Sequence, residues 1–157
     1  MIIPSKSECL AILTKNRTPS NVIEHCKTVC RVAEEVADKL IAKDINVNKY
    51  LVIAAAMLHD IERDKDDHVI AGVNLIRNMG FPEVAEVMKK HGLYRIENEG
   101  VQPKTIEEKI VFYADKRSME NKVVSLAERI KDIKRRYGKD FSKELNFAKK
   151  IEKELLD

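Results

Sequence analysis

Residues 51–58, Leu-Val-Ile-Ala-Ala-Ala-Met-Leu, are apolar at every position, and no other stretch constrains the fold as strongly. A helix that is hydrophobic on all sides has no face to offer water and must lie at the centre of its domain. Asn48 stands three residues before the run, where an N-cap would start it. The run closes on His59-Asp60. Neighbours on a regular helix point about 100° apart, so this pair converges on one point only where the helix is ending and the backbone can relax. A metal ion is the natural occupant of that point, because imidazole nitrogen and carboxylate oxygen together suit a transition metal. The dipeptide alone is better read as a helix end that happens to be polar, so the case for a site has to come from the rest of the chain.

The other segments have the pattern of helices that wrap a central one. Ser5-Lys6-Ser7-Glu8 fits a capping box ahead of Leu10, Ile12 and Leu13. Thr18-Pro19 gives an N-cap and a proline at the first helical position. Val22, His25, Val29, Val32, Ala33, Val36, Ala37 and Leu40 then follow at the 3.6-residue period, with His25 inside the apolar stripe. Residues 61–67 are a charged loop whose last aspartates can cap a helix carrying His68, Ile70, Ala71, Gly72, Leu75 and Ile76. Met79-Gly80-Phe81-Pro82 ends that helix and opens another, with Val84, Ala85, Val87 and Met88, that closes at His91-Gly92. His68 and Gly72 share a face at i and i+4, where glycine permits close approach of a helix or a substrate. Residues 93–104 have no period and contain Gly100 and Pro103, which predicts a loop over the site. Thr105-Ile106-Glu107-Glu108 is a second capping box, before Ile110, Val111, Ala114 and Asp115. Amphipathic helices follow around 123–137 and 141–156, divided by Gly138. No segment has strand alternation. The expectation is an all-α single domain, residues 1–157, of about seven to eight helices.

At 157 residues the chain fits one domain with a sizeable core. No apolar run approaches the roughly 18 residues of a membrane span, and the first residues do not resemble a secretion signal. Three cysteines, Cys9, Cys26 and Cys30, are an odd number, best read as reduced thiols. These points predict a cytoplasmic protein without a membrane partner. Cys26 and Cys30 are four apart on the same predicted helix as His25, but one cysteine pair without a second is better read as small buried hydrophobes than as a zinc site. Aromatic residues are 5% of the chain and tryptophan is absent, which disfavours a base-stacking platform. The basic run Lys131, Lys134, Arg135, Arg136 and Lys139, interrupted by Asp132, is read as a solvated helix face. Contact with a polyanion is the minor reading, so nucleic acid is not the expected partner.

Histidine is scarce, at four residues: His25, His59, His68 and His91. Each lies on, or at the end of, a predicted helix with an apolar face. A buried imidazole is costly unless something takes its nitrogens. All four in such places, with Asp60 and Asp115 also at helix ends, argue for one shared site.

The order His25, His59-Asp60, His68, His91, Asp115 resembles the HD-domain metal-dependent phosphohydrolase superfamily, in its HDIG-type, six-ligand bimetal variant. Asn21-Val22-Ile23-Glu24-His25 resembles that family's first helix, and Leu58-His59-Asp60-Ile61 its signature. His68-Val69-Ile70-Ala71-Gly72, Lys90-His91 and Tyr113-Ala114-Asp115-Lys116 resemble its remaining ligand segments. The resemblance covers about residues 18–137, with the helix at 141–156 packed on that core. It implies an HD-type bundle and one or two divalent ions (Fe, Mn, Ni, Co or Zn). The implied ligands are His25, His59, Asp60, His68, His91 and Asp115, with Asp60 bridging.

The implied activity is hydrolysis of a phosphomonoester or phosphodiester of a small phosphorylated compound, a nucleotide first. Ions there lower the pKa of a bound water toward about 7 and neutralise phosphoryl charge. The catalytic residues expected are Asp60, His68 and His91. With only one ion, the two histidines become candidates to bind phosphate or protonate the leaving group. Arg63, Lys116 and Arg117, each close in sequence to a ligand, are the expected substrate contacts. Many relatives have glycine where this chain has Glu62, which opens the alternative of a regulatory module that binds a phospholigand without turnover. An RNA-directed phosphodiesterase is a further alternative, drawn from the basic run. Oligomeric state is not legible, and a homodimer stays open.

Overall fold

The computed structural model describes residues 1–157. Eight helices form the molecule: α1 (Lys6–Lys15), α2 (Ser20–Ala42), α3 (Lys49–Leu58), α4 (His68–Asn78), α5 (Pro82–Lys89), α6 (Ile106–Lys116), α7 (Leu126–Tyr137) and α8 (Ser142–Leu156). The all-α expectation holds. A minimal antiparallel hairpin, β1 (Ser118–Met119) and β2 (Lys122–Val123), joins α6 to α7. Its strands are two residues long, too short for any alternation to register in sequence.

Seven of the eight side chains from Leu51 to Leu58 are buried, and α3 packs against α1, α2, α5 and α6. Asn48 caps α3 by accepting from Leu51 N–H at 3.1 Å. The 23-residue α2, about 34 Å long, runs along α3 and also packs on α6 and the hairpin. α8 closes the core by packing on α6 and α7.

Capping explains most helix starts. Ser5–Glu8 and Thr105–Glu108 form reciprocal capping boxes as expected. A third, Ser125–Glu128, starts α7 three residues later than the sequence expectation of 123, because residues 122–123 belong to the hairpin. Two expected caps are corrected. Thr18 does not cap α2: its hydroxyl donates to the Ile61 carbonyl at 3.2 Å, joined there by Asn16 Nδ2 at 3.3 Å, and Pro19 occupies the cap position. Asp67 occupies the cap of α4 but makes no side-chain cap bond, since its backbone is left-handed (φ 51°). Both departures serve the loop after His59-Asp60, which is tied by its Ile61 carbonyl to the α1–α2 junction. Gly72 permits helix packing rather than substrate approach: a Cβ there would lie 3.3 Å from Ile61 Cγ2 and 3.7 Å from Met88 Cε.

Candidate metal centre

Five separate parts of the chain bring the six expected ligands together. His25 comes from the second turn of α2, and His59-Asp60 from the end of α3. His68 is the first residue of α4, and His91 follows α5. Asp115 is on the last turn of α6. Their donor atoms form two groups that share Asp60: His25, His59, Asp60 and Asp115 in one, Asp60, His68 and His91 in the other. Within each group all donor atoms lie within 4.8 Å of one another. Asp60 divides its oxygens between them. Oδ2 is 3.5 Å from Nε2 of both His25 and His59. Oδ1 is 3.5 Å from His91 Nε2 and 3.9 Å from His68 Nε2. Asp115 Oδ1 completes the first group, 3.1 Å from His25 Nε2 and 3.3 Å from His59 Nε2.

The backbone sets how three of the imidazoles face this centre. His59 Nδ1 lies 2.7 Å from the Ala56 carbonyl, His91 Nδ1 2.6 Å from the Met88 carbonyl, and His25 Nδ1 3.1 Å from the Glu120 carbonyl. A carbonyl only accepts, so each Nδ1 carries a proton, and a ring without a second one turns an Nε2 lone pair inward. There the lone pairs meet carboxylate oxygens, which also only accept. His59 Nε2 and Asp60 Oδ1 are buried and have no hydrogen-bond partner at all. Buried acceptors facing acceptors are costly unless a cation lies between them. Protonation of the ring or a metal ion both satisfy that need, and four imidazoles with two carboxylates suit a divalent transition metal. The donor set fits the ions that the sequence resemblance implies.

The charges agree. Burial alone would keep His59 neutral, but the Asp60 carboxylate beside it raises its pKa well above the ordinary value. Burial would raise the Asp60 carboxyl, yet the flanking His59 and His91 hold it below the usual carboxylate range. Asp115, whose burial acts the same way, is held well down by Lys116 and then by His25 and His59. His68 is lowered, chiefly by burial.

The expected substrate contacts lie in three different situations. Arg63 is exposed and lines the cavity over the centre, where its Nη1 donates to His68 Nε2 at 3.0 Å. Lys116 is only 3% exposed. Its Nζ donates to the Asp115 carboxylate and to the His91 carbonyl (2.7 Å), and lies 5.0 Å from the Phe112 ring. That ammonium ties a ligand of the first group to the segment carrying a ligand of the second. The expectation for Arg117 is corrected: it turns away from the centre, with Nε on the Val124 carbonyl and Nη1 on the Tyr113 hydroxyl (both 2.5 Å) and Glu152 3.7 Å away. Glu62, the departure from the family pattern, is buried and paired with Lys65 at 3.0 Å. Its φ is not positive, so the loop does not require glycine there.

The centre opens into a cavity of about 1260 Å³. Tyr94 and Arg95, from the loop expected over the site, line it, and so do residues not named as site residues from sequence, among them Arg129, Arg136, Tyr137 and Phe141. A signal for part of this set was present: once Ser125-x-x-Glu128 is recognised as a cap, Arg129, Ile133 and Arg136 fall at i, i+4 and i+7 on one face. The expected solvated run thus divides. Lys131, Lys134 and Arg135 are exposed and off the cavity, whereas Arg136 and Lys139 line it.

The HD domain family matches residues 22–120 of this chain. An uncharacterized protein of Methanocaldococcus jannaschii is 35% identical over 147 residues, 85% of this chain and 86% of its own length. Two proteins named tRNA (cytidine(56)-2'-O)-methyltransferase are similar over part of their length. The one from Picrophilus torridus is 33% identical over 79% of this chain and 39% of its own, and the one from Thermoplasma volcanium 35% identical over 73% and 36%. The chain thus spans well under half of either methyltransferase. No solved structure matches it. No helix is long and apolar enough to cross a membrane.

Proposed function

This chain belongs to the HD-domain metal-dependent phosphohydrolase superfamily, and on that premise we propose that it hydrolyses a phosphate ester of a nucleotide at a site built for two divalent transition-metal ions. The observation that carries the proposal is the pair of donor groups joined through the two oxygens of Asp60, with buried lone pairs turned inward and left without partners. His25, His59, Asp60 and Asp115 would hold one ion, and Asp60, His68 and His91 the other. Fe, Mn, Co, Ni and Zn all suit such ligands. Bound ions of this kind supply an ionised water and neutralise phosphoryl charge.

The protein's own part is to orient and exclude. The carbonyl bonds of His25, His59 and His91 fix the rings before any ligand arrives. With Nδ1 of His91 committed to the Met88 carbonyl, its Nε2 is the ring atom offered to an ion. Lys116 holds Asp115 in place from behind. Arg63 lies at the cavity, where its guanidinium fork matches phosphate oxygens, and a shift onto substrate would free His68 Nε2. Three of the chain's eight Phe and Tyr residues, Tyr94, Tyr137 and Phe141, line the same cavity and could hold a nucleobase, which supports a nucleotide over a simple phosphate ester. Action on a phosphate of RNA is a second reading, favoured by Arg136 and Lys139 at the cavity and by the relatives named for methylating tRNA.

Metal content and thermal stability test the proposal. Protein stripped with EDTA and returned to Mn²⁺ at about a hundred times its dissociation constant gains about 2.7 kcal/mol. In a chain of this size that is a rise in Tm of about 5–11 °C. Asp60→Asn removes a charged ligand from both groups and should abolish metal retention, the rise in Tm and hydrolysis together. A variant that keeps its metal and its phosphatase activity would refute the assignment.

A further inference from the structure

The α7 side of the cavity contains charged groups that the metal centre does not use. Arg129 Nε donates to the Ser118 carbonyl at 3.0 Å, which fixes the guanidinium, while its Nη1 is buried with no partner. Ser118 is three residues beyond Asp115, on the turn that also holds His25 through Glu120, so this guanidinium is anchored to the same backbone as the first ligand group. Arg136 and Lys139 line the same wall. Arg136 lies 2.7 Å from Asp132, an acid it shares with Arg135, and retains free donors. Two acids, Asp140 just before α8 and Glu144 in its first turn, line the same cavity. Asp140 is engaged by the Ser142 amide (3.0 Å) and hydroxyl (2.5 Å). Glu144 has a buried Oε2 without a partner. Arg129 and Glu144 are therefore left with a buried donor and a buried acceptor unpaired.

A fixed cationic donor and a buried acceptor, both unsatisfied on one wall, suit a ligand that carries an anion and a hydroxyl close together. The cavity is also larger than one phosphate needs, since pockets for whole small ligands run to about 300–1,000 Å³. Resting on the phosphohydrolase reading, we propose that this wall binds a second phosphate of the substrate, on Arg129, Arg136 and Lys139, with Glu144 accepting from the adjoining sugar hydroxyl. The substrate class is then a nucleotide bearing phosphates at two positions. Such chemistry is present in a free nucleoside bisphosphate and at a phosphorylated end of RNA.

The wall needs no metal, so it can be tested on metal-free protein by calorimetric titration with adenosine 3′,5′-bisphosphate. Binding should weaken about tenfold in Arg129→Gln and in Arg136→Gln, the loss expected for one charge-assisted hydrogen bond. Arg136 is exposed, so its variant decides the matter if Arg129→Gln folds poorly. No binding by the wild type, or unchanged affinity in both variants, overturns the proposal. A trinucleotide RNA phosphorylated at both ends, titrated in parallel, identifies the source: the tighter of the two ligands marks a free nucleotide or an RNA end. In Mn²⁺-loaded protein, Arg136→Gln should lower kcat/KM for the bisphosphate relative to p-nitrophenyl phosphate, again about tenfold. An unchanged ratio counts against the wall. Wild-type protein that binds the bisphosphate yet neither retains Mn²⁺ nor hydrolyses either compound would remove the hydrolase reading and leave the wall standing.

Discussion

Replacing Lys116 by methionine separates a structural role from a substrate contact. The side chain is 3% exposed, and its ammonium is shared between the Asp115 carboxylate and the His91 carbonyl. Methionine keeps the length and removes the charge. Breaking a buried pair by removing one partner costs about 3–5 kcal/mol, since the remaining charge stays buried. For a domain of this size that lowers Tm by about 6–20 °C. The loss should depend on metal. Without it, Lys116 is the fixed counter-charge of Asp115. With a divalent cation on the other side of that carboxylate, the ammonium matters less and the loss shrinks. Calorimetric melts of wild type and Lys116→Met, each with EDTA and with Mn²⁺, measure all four states. The double variant Asp115→Asn, Lys116→Met should recover part of the loss in EDTA, which a double-mutant cycle would quantify. A Tm within about 2 °C of wild type, or an equal loss with and without metal, would refute the reasoning. A rise in KM with unchanged melting would restore Lys116 as a substrate contact.

Three further outcomes are expected. Burial pushes the thiols of Cys9 and Cys30 up to about 12, so a thiol reagent at pH 8 should leave both unmodified in native protein and reach all three cysteines only in denaturant. Gly72→Val should destabilise by about 1–3 kcal/mol in urea unfolding, because its first carbon already meets Ile61 at 3.3 Å; unchanged stability would mean that α4 and the loop can move apart freely. Tyr113→Phe removes the hydroxyl that bonds Glu152 of α8 at 2.6 Å and Arg117 at 2.5 Å. It should cost about 0.5–1.5 kcal/mol per bond while sparing metal content, and loss of metal would place Tyr113 in the centre's support.

The fold was legible where local chemistry decides it. Capping boxes at Ser5 and Thr105, the period of α2 and the wholly apolar α3 each specify their element within a few residues of sequence. The meeting of His25, His59, Asp60, His68, His91 and Asp115 was legible from their order, helical context and family resemblance, since each falls at a helix end or on an apolar stripe. Long-range competition was not legible. Thr18 has the chemistry of a cap, but the Ile61 carbonyl, 43 residues away, takes its hydroxyl. Arg117 stands two residues from the expected ligand Asp115 and is drawn off by Glu152 and Tyr113 from the far side. Arg129 has the composition of a solvated helix face. Only the packing of α7 beside α6 carries its guanidinium to the cavity; the period it shares with Ile133 and Arg136 marks a face but not what that face meets.

The carbonyl bonds that fix the histidines differ in reach. His59 and His91 each lean on a carbonyl three residues back, so their rings are set as soon as their own helix ends form. His25 leans on Glu120, 95 residues away, in the turn of a hairpin with two-residue strands. Glu120 holds that turn in the left-handed region (φ 56°), which a β-branched residue resists. The smallest element of the molecule therefore holds the ring that completes the first donor group. Lengthening this turn, or placing isoleucine in it, would disable a centre whose ligands had not been touched.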